Sequence, residues 1–108
     1  MSEPGLDRHE WESEWQALEE QVAESPAESL GSLDDLVARM LEERGYAIAD
    51  VVVREGDESE VVAEFLAARE TTRLRDSDPD SVSAGDVAAA VNGYRAVYEH
   101  LLAEHGAP

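Results

Sequence analysis

Residues 68–75 read Ala-Arg-Glu-Thr-Thr-Arg-Leu-Arg and place Arg69, Arg73 and Arg75 within seven residues. The whole chain holds only 8 basic residues, all arginine, against 26 acidic ones. A guanidinium keeps its charge at any ordinary pH and grips carboxylates or phosphates through a planar fork of donors. On a helical wheel of about 100° per residue, with Val61 as origin, Phe65, Ala68 and Thr72 share the core face. Arg69 falls at about 80°, between Phe65 and Val62, while Arg73 and Arg75 lie on the two shoulders. A charge on that stripe must find acceptors or be costly. Tyr94 and Tyr98 fall on the inner face of the last helix, with Arg95 beside them. The expected polar site therefore joins Arg69, Arg73, Tyr94 and Tyr98. It is a structural ion pair with a carboxylate from another helix, a stem that snorkels along the core to solvent, or a seat for an anionic ligand or partner.

Arg95 also stands five residues before His100, in Arg-Ala-Val-Tyr-Glu-His. This Arg-x-x-x-x-His spacing resembles the short motif of HEPN-type ribonucleases, which are small all-helical domains, often dimeric. The resemblance covers six residues and implies that Arg95 and His100 polarise a phosphate and serve in acid–base cleavage of RNA. Ala96 occupies a position that is usually polar in that family. On the wheel of this helix, His100 lies about 220° from Val87, on the side away from the apolar seam.

Other chemistry finds less support. A di-iron bundle needs inward Glu-x-x-His pairs, and Leu6, Val97 and Leu102 stand three residues before the three histidines. Glu99, His100, Glu104 and His105 form a weak cation cluster at best, so no metal and no cofactor is expected. Adjacent acids such as Glu19–Glu20 and Glu42–Glu43 point in different directions and read as solvated faces. No Gly-rich phosphate loop and no nucleophile elbow occurs. Trp11 and Trp15 are expected either as core anchors or as an aromatic docking ridge for a partner.

The formal net charge of −18 and the absence of lysine limit the function classes further. Acidity on this scale is tolerable in molar salt, where the Debye length shrinks to about 3 Å. The alternatives are an arginine-favouring genome or a DNA-mimicking decoy. Binding to nucleic acid is disfavoured, because duplex DNA is itself a dense line of negative charge. There is no cysteine, hence no disulfide framework or thiolate metal site. No apolar run reaches the roughly 20 residues that span a bilayer. The first residues lack a signal peptide's basic start and apolar core, so a cytoplasmic location is expected.

The elements that must position these residues are helices. Asp7 and Glu10 are spaced as a capping box for the first, with a Leu6–Trp11 staple, and Trp11, Trp15, Leu18 and Val22 then form a seam that Pro26 ends. The second is expected from Ser32, with Leu33, Leu36, Val37, Met40 and Leu41 inward and Gly45 as C-cap, Tyr46 closing back on Leu41. The third is expected from an Asp57 cap to about Arg75. The fourth follows a polar loop, starts at Ser83 with Asp86 in its first turn, and places Val87, Val91, Tyr94, Tyr98, Leu101 and His105 on one face. Residues 46–56 favour a short helical turn or connector over a strand.

The expectation is thus one all-α domain over 1–108, a four-helix bundle with an extra turn or connector between the second and third helices. Residues 1–6 and 106–108 are expected to be flexible. The expected function is a non-enzymatic interaction or assembly module, salt-adapted and acting as a homodimer or adaptor; the alternative is a HEPN-like RNA-cleaving or nucleotide-binding enzyme using Arg95 and His100.

Overall fold

The computed structural model describes residues 4–44, 46 and 59–106. They form four α-helices: α1 (Pro4–Glu24), α2 (Pro26–Glu43), α3 (Ser59–Ser77) and α4 (Ala84–Gly106). One 3-10 turn, Pro79–Ser81, joins α3 to α4. Among the described residues there is no strand, so the protein is an all-α four-helix bundle. The expected turn or connector at 46–56, the Gly45 cap and the Asp57 cap lie outside the described residues, apart from Tyr46. No described helix is long and apolar enough to cross a membrane.

Two helix starts differ from those expected, and proline explains both. α1 begins at Pro4, not after Asp7, so the Asp7–Glu10 box falls inside the helix. α2 begins at Pro26, not Ser32, and Ser32 is an exposed residue in its interior. Proline's missing N–H costs nothing in a first turn, and its fixed φ is preset for helix. Pro26 therefore ends one helix and opens the next, with Ser25 alone between them at φ −144° and ψ 75°. Ser25 N–H still bonds Gln21 O at 2.7 Å, and Ser25 O accepts from Ser29 N–H at 3.1 Å. The i to i−4 hydrogen-bond pattern therefore runs on both sides of the corner, although Ser25 makes no side-chain cap.

The other ends follow the sequence. Tyr46 N–H donates to Leu41 O at 2.9 Å, the long bond of a Schellman closure. At the start of α4, Ser83 N–H donates to Asp86 Oδ2 and Asp86 N–H to Ser83 Oγ, both at 3.1 Å. That is a complete reciprocal capping box with aspartate in the usual glutamate place.

The core is formed by Trp11 and Trp15 of α1, the leucine stripe of α2, Phe65 and Ala68 of α3, and Val87, Val91, Tyr94, Val97, Tyr98 and Leu101 of α4. α3 and α4 form the most extensive pair, then α2 with α4 and α1 with α2. Among the described residues α1 does not pack on α3. The overall extents are 44 × 35 × 19 Å. A thickness of 19 Å is about two helix diameters, so the bundle is a flattened slab with α2 and α4 central and α1 and α3 at opposite flanks. α4 meets α3 closely at Gly93, where a Cβ would lie 3.4 Å from the Ala68 Cβ, at the near edge of ordinary van der Waals contact.

Candidate functional site

Asp34 of α2 is the centre of the polar constellation. Its carboxylate accepts two bonds from Arg69: Nη2 to Oδ1 at 2.8 Å and Nε to Oδ2 at 3.1 Å. The Tyr94 hydroxyl donates to Oδ2 at 2.8 Å. Thr72 Oγ1 lies 2.7 Å from that hydroxyl and 3.1 Å from Ala68 O. A charged acceptor draws the tyrosine proton, so Thr72 donates to Tyr94 and Tyr94 to Asp34. The Arg69 guanidinium also lies 4.7 Å over the Phe65 ring, within cation–π range. Phe65 meets Tyr94 edge-on at 6.0 Å.

Three helices meet in this network. α2 supplies the carboxylate, α3 the arginine and threonine, and α4 the tyrosine. Asp34 is 7% exposed and Tyr94 is fully buried, while the Arg69 side chain is 22% exposed. Its bonds to Asp34 hold the Arg69 pKa above the usual arginine value, against the opposing cost of burial. Burial pushes the Tyr94 phenol well above the usual tyrosine range, and its bond to Asp34 adds to that. Beside the pair runs a groove of about 450 Å³ between α2 and α3, lined by Gly31, Ser32, Asp35, Arg73 and Asp76 among others.

A second constellation ties α1 to α4. Arg95 bonds Glu19 through Nε and Nη2, each at 3.1 Å, and Asn92 Oδ1 through Nη1 at 3.1 Å. Trp15 Nε1–H donates to Glu19 Oε2 at 2.8 Å, and the Trp15 ring stacks on Tyr98 at 4.2 Å and 9°. The bonds from Arg95 hold the Glu19 carboxyl below its usual value, and Glu19 raises Arg95 in turn.

The four residues expected at one polar site therefore separate. Arg69 and Tyr94 meet, but through Asp34 rather than with each other. Tyr98 stacks on Trp15 instead. Arg73 is exposed in the α2–α3 groove and makes no ion pair among the described residues. Trp11 and Trp15 lie in the core at 5% and 7% exposure. Arg95 bonds Glu19, while His100 is exposed. Five positions apart, Arg95 and His100 sit about 140° from each other around the helix. Among the described residues no group of three or more His, Asp or Glu is placed to hold a metal ion.

Sequence reasoning missed Asp34 and Glu19. Asp34 borders the apolar stripe of α2, within about 60° of Leu41, Leu30 and Val37 around the helix, the mark of a carboxylate at the edge of a buried face. Starting that helix at Ser32 leaves Leu30 outside it and hides the pattern. No family model matches the chain, and no curated protein or solved structure shows significant similarity to it.

Proposed function

We propose that this protein is a non-enzymatic helical assembly module, cytoplasmic and adapted to high salt, that pairs with a second copy through the outer face of α3. The observation that carries the reading is Leu74, a large apolar side chain left 41% exposed. Ala63 and Ala67, both exposed, share its side of α3, opposite the core residue Phe65. A chain of this charge repels its own copies, so self-association favours its least charged surface. α1 and α2 together hold twelve acids and two arginines, whereas α3 and α4 hold seven acids and four arginines. The apolar stripe thus lies on the less acidic half. The ordered roles of Arg69, Tyr94 and Arg95 in linking helices also favour a scaffold over a reactive site.

Light scattering at about 100 µM protein in 2 M KCl tests this. The expected mass is twice the 11.8 kDa of one chain, and Leu74→Glu should return it to one. A wild-type monomer under these conditions would sink the pairing. Cleavage of an RNA oligonucleotide that vanishes in both Arg95→Ala and His100→Ala would instead establish the ribonuclease reading.

A further inference from the structure

We infer that a second groove, between the start of α2, the end of α3 and the first turns of α4, binds an aliphatic monocarboxylate, with Arg75 as the group that holds the carboxylate. The groove encloses about 360 Å³, within the usual range of small-molecule sites, roughly 300–1,000 Å³. Its wall is mostly carbon, from Pro26, Ala27, Ala84, Val87 and Ala88. The polar residues on it are Ser25, Glu28 and Arg75.

Arg75 carries the argument. Arg39, Arg69 and Arg95 each have a carboxylate oxygen within 3.1 Å. The side chain of Arg75, a half-buried residue in a chain with 26 acids, makes no hydrogen bond or ion pair among the described residues. The Arg73 side chain also makes no ion pair among the described residues, but its groove already holds Asp35 and Asp76. The Arg75 groove holds a single acid, Glu28, and its wall is otherwise mostly apolar. A guanidinium fork matches a carboxylate in shape and charge, and small aliphatic side chains accept an acyl chain. A peptide would bring further backbone donors and acceptors, for which this wall has few partners. Glu28 opposes the anion, so binding requires Arg75 to outweigh it. This site is independent of pairing through α3.

The test is an amide-shift titration of the isotopically labelled protein with acetate, butyrate, hexanoate and octanoate, and with octanol as the uncharged control. Saturable shifts are expected at Ala27, Ala84 and Ala88. Each buried methylene should tighten binding about fourfold until the groove is full. Octanol should bind at least about tenfold more weakly than octanoate, because the charged hydrogen bonds are lost. Arg75→Gln should weaken octanoate to the octanol level, and Glu28→Gln should tighten it. Ala88→Leu, which fills the groove without changing charge, should block both ligands. Equal binding of octanol and octanoate, no effect of Arg75→Gln, or no saturable shifts at these alanines would overturn the proposal.

Discussion

Asp34 accepts from Arg69 and Tyr94 at once, so removing Arg69 leaves a buried carboxylate without its countercharge. Arg69→Met keeps most of the stem and removes the charge. It should destabilise the fold by about 3 kcal/mol in urea titration, near the low end for a broken buried pair, because the arginine is partly exposed. Replacing both members, Asp34→Leu with Arg69→Met, should recover most of that loss. A double variant as unstable as the sum of Arg69→Met and Asp34→Leu measured singly would mean that the pair has no mutual energy. Tyr94 gives a pH signature. Its phenol keeps its proton in the folded state at pH values where the unfolded chain has lost it. Above about pH 10 the folded state therefore binds more protons, and stability should fall as pH rises. Below that pH the contribution is complete. Tyr94→Phe should flatten the alkaline limb of a pH–stability curve. Glu19 has the opposite sign: its lowered carboxyl stabilises the fold above the ordinary carboxylate range, and the benefit fades as pH falls through it.

At the scale of the element, the caps decide where helices begin. Ser83→Ala removes one half of the reciprocal box with Asp86 and should cost about 1 kcal/mol, read as a lower urea midpoint with unchanged slope. No change would show that the box adds nothing beyond solvent. The inner faces of α2 and α4 were legible, since their apolar residues recur at helical spacing and every one of those described is buried. The starts of α1 and α2 were not. Asp7 and Ser32 carry good capping chemistry, but a proline upstream offers a competing start, with one fewer unpaired N–H and a φ preset for helix. The need of Arg69 for an acceptor was legible from its place on the stripe. The identity of that acceptor was hidden, because it depended on the true start of another helix. The pairing of Trp15 with Tyr98 depends on which helices adjoin, which one sequence does not encode locally.

For the whole molecule, charge and shape act together. A slab 19 Å thick keeps its carboxylates close to one another across little protein. Their repulsion is strong in dilute buffer and screened at molar salt. The melting temperature should therefore rise strongly between 0.1 and 2 M KCl, as followed by circular dichroism. A flat or falling trend would remove salt adaptation as the reason for the acidity.

At its flank α1 packs mainly on α2 and leaves α3 untouched among the described residues, so it is the helix that can lift away with the fewest partners disturbed. Its bonds to α4 run through a few long side chains, notably the Trp15–Tyr98 stack and the Glu19–Arg95 pair, while the Asp34 network ties together the three other helices without it. It also carries seven acids against one arginine. An excursion that lifts α1 alone leaves the Asp34 network whole, so it should need less energy than global unfolding. Amide hydrogens of α1 should accordingly exchange faster than those of α2 and α4. Both indoles of the chain ride on this one helix. Tryptophan emission should then change at lower denaturant than the helical signal, most clearly at low salt, and coincident curves would mean that α1 leaves only when the whole bundle does.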